Sequence, residues 1–379
     1  MKSEPFYLHA HCTLIEGRWQ QQQYLLIADG VIQQISSTAE AGVTVLELPD
    51  GMLLPGFIDT QVNGGGGILF NQQPTVEALR LMMAAHRAFG TTAMLPTVIT
   101  DHIHSMRQAA DAVAAALARA EPGIIGIHFE GPHLSLAKRG CHPTQHLRSL
   151  SAAELELYQR TDLGVRMLTI APEAVSPEQI RRLSDAGVIV CLGHSNANSD
   201  TVLAALDAGA TGFTHLYNGM SGLTSREPGM VGTALADPRT FCGIILDGEH
   251  VHPLSARLAY QAKGAERLVL VTDAMSPVGT DQKEFEFFDG KVTRQGLKLT
   301  NAEGSLAGSV LDMASAVRYA KEQLQLDLAT AIQMATATAA DFIGQSKVRG
   351  QIRPGAQADL IWMNNKYQIQ QSWIAGKTA

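Results

Sequence analysis

The chain has 379 residues, more than one hydrophobic core usually organises, so a large domain with a smaller companion is expected. Hydrophobic residues make up 45% and charged residues 17%, a globular composition that excludes a disordered chain. Lys+Arg 29 against Asp+Glu 36 leaves a formal charge of -7, which argues against nucleic acid as a partner and requires any anionic ligand to be held by local donors.

Met1-Lys2-Ser3-Glu4-Pro5 lacks the charged-then-apolar pattern of a signal peptide, and no apolar run is long enough to cross a membrane. Cys12, Cys141, Cys191 and Cys242 form no C-x-x-C pair and read as reduced thiols. A cytoplasmic protein is expected. Residues 1–53 read as short strands. Leu25-Leu26-Ile27-Ala28-Asp29-Gly30-Val31-Ile32 sets an Asp-Gly turn between two apolar runs, a hairpin signal, and Gln20 to Gln23 read as a solvated strand end.

From residue 54 the pattern changes to strand-then-helix units. Apolar runs at 54–59, 92–96, 124–129, 166–170, 188–192, 211–214, 242–246 and 268–271 read as buried strands. Amphipathic stretches at 76–89, 104–120, 177–186, 200–208 and 253–262 read as helices, several closed by a glycine (Gly90, Gly187, Gly209, Gly264) able to take the left-handed conformation. The unit after 211–214 is the least regular, because a Gly/Pro-rich loop replaces much of its helix. Repeated alternation implies a parallel sheet under helices, and eight such strands imply a closed (β/α)8 TIM-type barrel over residues 54–344. Strand-like runs return in residues 345–379, and pairing them with residues 1–53 gives a small β-sandwich domain built from both chain ends.

Barrel enzymes carry their active sites at the C-terminal ends of the strands. The polar residues at those ends are Gln61 and Asn63, His128 and Glu130, His194, His215, Asp247 and His250, and Asp273. Singly, each has an ordinary structural use, as a hydrogen-bonded histidine or a carboxylate capping a turn. Together, on different strands, they converge on one mouth. A Glu, two His and an open position match a hydrolytic zinc site. Gly64 to Gly67 read as a flexible loop beside it, since no Lys-Ser/Thr follows as in a phosphate-binding loop.

Pro55-Gly56-Phe57-Ile58-Asp59, His128-Phe129-Glu130-Gly131-Pro132, Leu192-Gly193-His194-Ser195, Thr214-His215-Leu216-Tyr217-Asn218-Gly219-Met220, Asp247-Gly248-Glu249-His250 and Val271-Thr272-Asp273-Ala274 resemble the motifs of the N-acetylglucosamine-6-phosphate deacetylases, within the amidohydrolase superfamily. The resemblance runs from near residue 5 to the segment Gly350-Gln351-Ile352-Arg353-Pro354-Gly355 and beyond it to Leu360. The first motif is shared across the superfamily, whereas the Glu-Gly-Pro and His-Leu-Tyr-Asn-Gly-Met blocks are specific. The resemblance implies Glu130, His194 and His215 as metal ligands, and Asp273 as acid/base with His250 assisting. It implies Cys141, His142, Asn218, Gly219, Arg226, Asp247 and His250 as substrate contacts, with Leu306, Ala307 and Gly308 closing over the sugar. Arg226 would reach the phosphate from the neighbouring subunit of a homodimer, with His142 as a second charge-assisted donor.

Many superfamily members begin with His-x-His and hold a second metal there. Gln61 and Asn63 stand at those positions as vestiges, and neutral amides are weak zinc ligands. One divalent metal per subunit is therefore expected, zinc first, with Fe2+, Mn2+ or Co2+ as alternatives. The implied reaction is hydrolysis of the acetamide of N-acetyl-D-glucosamine 6-phosphate to D-glucosamine 6-phosphate and acetate. Two other readings stay open: hydrolysis of another N-acyl or cyclic-amide substrate on the same fold, and a non-catalytic phosphosugar-binding protein. The first usually carries the His-x-His start and a bridging lysine, neither of which is evident here. The second, as a regulator, would need an effector or DNA-binding module, and none is visible; a barrel that had lost its chemistry would show eroded ligands, whereas Glu130, His194, His215 and Asp273 are all present.

Overall fold

The computed structural model describes residues 4–288 and 290–378. Met1 to Ser3, part of the N-terminal stretch considered above, lie outside the described residues. The hairpin forms at Asp29-Gly30, where both residues take positive φ (51° and 78°), as a two-residue turn matching the strand twist requires. It joins Arg18–Ala28 to Val31–Ser36, and Gln20 to Gln22 are exposed within the first of these strands. Phe6–Ile15 pairs with Arg18–Ala28 and, on its other edge, with Thr44–Glu47 and Met52–Pro55. Leu360–Met363 and Ile369–Trp373 complete the sheet from the far end of the chain. Leu8, Leu25, Ile27, Ile32 and Leu53 pack with Ile352, Leu360 and Trp373, so neither chain end could bury this core alone.

The apolar run expected at 54–59 is divided. Met52–Pro55 belongs to the small sheet and Phe57–Val62 opens the barrel. Gly56 marks the crossing, because a Cβ there would stand 2.1 Å from Thr92 Oγ1. Among the described residues, eight parallel strands follow in sequence order around the barrel: Phe57–Val62, Thr91–Ile99, Gly126–Glu130, Val165–Ile170, Ile189–Leu192, Gly212–Phe213, Phe241–Ile244 and Leu268–Leu270. The last and first strands meet through Asp273 N–H to Gln61 O (3.0 Å) and Asn63 N–H to Ala274 O (2.9 Å). The closing seam of the barrel therefore lies at its mouth.

Helices Val76–Arg87, Ile103–Ala118, Pro177–Asp185, Ser199–Asp207, Pro253–Lys263 and Met313–Gln323 cover the strands. Their starts are set by side-chain caps: Thr75, Asn198 and Asp312 accept from backbone N–H groups, and Ser176 forms a capping box with Gln179. The sixth unit is short, a strand of Gly212–Phe213 and a helix of Gly229–Ala236, with a long loop between them.

One element has no counterpart in the sequence reading. After the eighth strand, Glu284–Phe287, Gly290–Gln295, Lys298–Thr300 and Leu306–Ser309 form an antiparallel sheet. Phe285, Phe287, Val292, Leu299 and Ala307 on its inner face pack with Leu69, Ile99 and Met275, which roofs the mouth of the barrel. No described helix is long and apolar enough to cross a membrane.

Candidate active site

Glu130 ends the third barrel strand, while His194, His215 and Asp273 follow the fifth, sixth and eighth. The last three take positive φ (47°, 35° and 51°), a conformation L-residues avoid and one that clusters at functional sites. Their side chains meet. Glu130 Oε1 lies 3.0 Å from His215 Nε2 and 3.3 Å from His194 Nε2, and the two Nε2 atoms are 2.9 Å apart. All three residues are buried.

The chemistry of this set suits a cation. His194 Nδ1 lies 2.9 Å from the Lys138 carbonyl, which can only accept, so Nδ1 carries the proton and Nε2 presents a bare lone pair to Glu130 and His215. Tetrahedral zinc with bonds of about 2.0–2.1 Å has ligand–ligand edges of roughly 3.3 Å, close to the spacing found. The buried Glu/His/His group is thus of the kind that holds a divalent metal. Burial alone would raise the Glu130 pKa, but hydrogen bonds with His194 and His215 outweigh it and hold the carboxyl well below its ordinary range. The same partnership overcomes desolvation at His215 and raises its pKa. His215 Nδ1 is buried with no hydrogen-bond partner among the described residues. Gly219 must be a glycine, since at its φ of 59° a Cβ would press on His194 Nδ1 at 3.0 Å.

Asp273 stands beside this group on the seam. Two neutral amides converge on one of its oxygens: Asn63 Nδ2 donates to Oδ1 at 2.6 Å and Gln61 Nε2 at 3.1 Å. Gln61 Nε2 also donates to Glu130 Oε1 at 3.1 Å. Both side chains thus act as donors to the site's carboxylates. Burial, reinforced by the negative charge of Glu130, pushes the Asp273 pKa up to about 6. Beneath it lies Asp59, a residue the sequence reading left without a role. Its carboxyl accepts from Thr272 Oγ1 (2.6 Å), Thr272 N (3.3 Å) and Gln61 N (3.2 Å), pinning the first strand to the residue before Asp273.

The remaining expected residues fall into separate groups. Cys141, His142, Asn218, Gly219, His250, Leu306 and Gly308 line one cavity of about 310 Å³ with Asn63, Glu130, His194, His215 and Asp273. Asp247 does not line it. Its Oδ2 takes His250 Nδ1 at 2.7 Å, and its Oδ1 takes the backbone N–H groups of Glu249 and His250, so it orients His250. Ala307 is fully buried in the core of the roofing sheet, because side chains alternate along Leu306–Ser309. Arg226 is exposed and lies outside the cavity of its own chain.

His142 stands in the cavity wall, against Thr100 and the His194 ring. Desolvation, with His194 beside it, lowers its pKa well below the ordinary value, and its Nδ1 is engaged with Thr100 Oγ1 at 2.7 Å. The Cys141 thiol, pushed up to about 12 by burial, is no thiolate nucleophile. His128 sits deeper in the barrel against Thr60 O and Thr169 Oγ1, where burial lowers its pKa to about 4. Arg139 was not singled out from the sequence. It donates to the carbonyls of Gly140 (3.1 Å) and His142 (3.2 Å) and pairs with Glu303 (3.2 Å), tying the loop after the third strand to the roof.

Comparison with known proteins agrees with this architecture. The amidohydrolase family model matches residues 52–379. The chain is 60% identical over 369 residues to an N-acetylgalactosamine-6-phosphate deacetylase of Shewanella sp. (strain ANA-3), covering 96% of this chain and 93% of the relative. It is 33% identical over 381 residues to an N-acetylglucosamine-6-phosphate deacetylase of Vibrio furnissii, covering 97% and 95% respectively. The crystal structure of N-acetylglucosamine-6-phosphate deacetylase from Pasteurella multocida superimposes with a TM-score of 0.95 at 30% identity, over 99% of both chains. Sequence, barrel and relatives agree along nearly the whole length: the chain belongs to the amidohydrolase family.

Proposed function

We propose that this chain removes the acetyl group from N-acetyl-D-glucosamine 6-phosphate, producing D-glucosamine 6-phosphate and acetate in amino-sugar catabolism or recycling. The observation that carries the reading is the buried Glu130–His194–His215 group with Asp273 beside it at the mouth of the barrel. A divalent cation held there, with zinc as our first choice, would lower the pKa of a bound water to about 7 and polarise the amide carbonyl.

Asp273 then does the proton work. Its Oδ1 is occupied by Asn63 and Gln61, so Oδ2 is the atom left to accept the proton of the attacking water. The same carboxyl returns the proton to the departing sugar nitrogen, acting as base and then as acid. His250, held through Nδ1 by Asp247, keeps Nε2 for the substrate, where it can face the charge that develops on the acetyl oxygen. The cavity lining includes no Lys or Arg among the described residues. The exposure of Arg226 supports assigning it to the phosphate bound by a neighbouring subunit of a homodimer. A cytoplasmic location fits a soluble metabolic step on a phosphorylated sugar.

A second reading, the galactose-configured substrate, is favoured by the 60% identical relative, named for N-acetylgalactosamine 6-phosphate. Acetate release from both epimers and from unphosphorylated N-acetylglucosamine tests both readings. Turnover of N-acetyl-D-glucosamine 6-phosphate at a kcat/KM equal to or above that of its epimer supports the first. The reverse order moves the assignment to the epimer, and no acetate from either phosphate refutes deacetylation.

A further inference from the structure

A second cavity, of about 270 Å³, lies beside the reacting centre and shares Asn63, Ile99 and Phe287 with the first. We infer that this side cavity is an acyl pocket, which receives the carbon chain of the substrate's N-acyl group and admits uncharged chains longer than acetyl. The inference rests on the deacylation reading above.

The argument begins at the carbonyl carbon that is attacked. It must lie within reach of Glu130, His194, His215 and Asp273, and Asn63 stands 2.6 Å from Asp273 while facing both cavities. Two substituents leave a trigonal carbonyl carbon in diverging directions. The sugar side needs the main cavity, where Asn218, Gly219 and His250 offer polar contacts. The acyl chain must leave the other way, and the side cavity adjoins the main one there, across Asn63, Ile99 and Phe287. Its walls suit a short chain, with Leu69, Ile99, Phe287 and Phe288 apolar.

Two polar features sharpen the specificity. Asn63 Oδ1 is buried with no hydrogen-bond partner among the described residues, although its Nδ2 is tied to Asp273. An unpaired acceptor at the junction is available to the N–H of an amide whose carbonyl carbon lies there. Asp101, held by Asn71 Nδ2 at 3.0 Å, contributes a carboxyl group to the same wall. An acyl chain ending in its own carboxylate would meet that acid in a confined space, so charged chains are disfavoured.

The test follows glucosamine 6-phosphate, the shared product, from its N-acetyl, N-propionyl, N-butyryl and N-succinyl derivatives. A closed pocket sized for one methyl rejects each added methylene by roughly 10–200-fold. For the open pocket, propionyl and butyryl should lie within about tenfold of acetyl in kcat/KM, and succinyl more than about 100-fold below butyryl. A larger propionyl penalty overturns the acyl pocket, and succinyl turnover equal to butyryl overturns its selectivity. Leu69 lines the side cavity and not the main one, so Leu69→Phe should lower the butyryl-to-acetyl ratio at least tenfold. Should that variant fail to fold, Leu69→Ala should raise the same ratio; an unchanged ratio in a folded variant refutes the placement. Absence of acetyl turnover in the wild type defeats the deacylation reading, whereas acetyl turnover with propionyl excluded defeats only the pocket.

Discussion

Gln61 and Asn63 occupy positions where neutral amides hold metal poorly, yet both are hydrogen-bonded to Asp273, and Gln61 also reaches Glu130. Their chemistry is donation. A carboxylate with one oxygen fixed by two donors presents the other in a defined direction, which a proton acceptor needs. Asn63→Ala should therefore lower kcat by about 10–100-fold, the usual cost of losing an orienting partner, with metal content retained. The variant also removes a donor that holds the Asp273 pKa down, against burial and Glu130, which push it up to about 6. Activity requires the deprotonated form and is lost as pH falls through that pKa, so the acid limb of kcat/KM should move to higher pH in Asn63→Ala. An unmoved limb with unchanged kcat would remove Asn63 from this role. Glu130, His194, His215 and Asp273 were legible as a group, because each alone has an ordinary structural use but all four fall at equivalent strand ends and meet at one mouth. Strand-end position and motif membership do not tell which way a side chain turns: the Asp247 carboxyl turns to His250 and the Ala307 side chain to the core of the roof.

Among the elements, the seam between the first and eighth strands encloses a titratable group, Asp59. Asp59 is buried, and desolvation raises its pKa to about 7 despite the donors Thr272 and Gln61. In the unfolded chain it would titrate near its ordinary value of 3.8. A carboxyl with a raised folded pKa binds more protons when folded, so its contribution to stability falls as pH rises from about 4 to about 7. The full shift corresponds to roughly 4 kcal/mol. Asp59→Asn has no such titration and retains acceptor capacity. Its stability relative to wild type should improve by about 2–4 kcal/mol between pH 4 and pH 8, measured by denaturant unfolding of metal-loaded protein. A pH-independent difference would mean that Asp59 is not buried as an ionisable group. The covering helices were readable because caps such as Ser176 and terminal glycines such as Gly187 act locally. The roof was not. Its strands are short, and Glu284–Phe287 alternates exposed and buried residues over too few positions to stand out from a polar loop. The link from Asp59 to Thr272 spans 213 residues and exists only once the barrel closes.

For the whole molecule, a barrel with its seam at the mouth explains how residues from both ends of the catalytic segment share one site. Gln61 and Asn63 enter at its first strand, Asp273 after its last, and the roof returns over them. The exposed Arg226 would extend that sharing to a second subunit. Mixed dimers of Arg226→Ala and Asp273→Asn chains contain one site with both native residues, and verified heterodimers should recover part of the activity that each parent lacks. No recovery would confine Arg226 to its own chain. The most direct measurement is acetate release from N-acetyl-D-glucosamine 6-phosphate during titration of metal-stripped protein with Zn2+. With one cation held by Glu130, His194 and His215, activity should start near zero, rise linearly and level at one equivalent per chain. Full activity before metal is added, or a plateau only at two equivalents, would contradict the account.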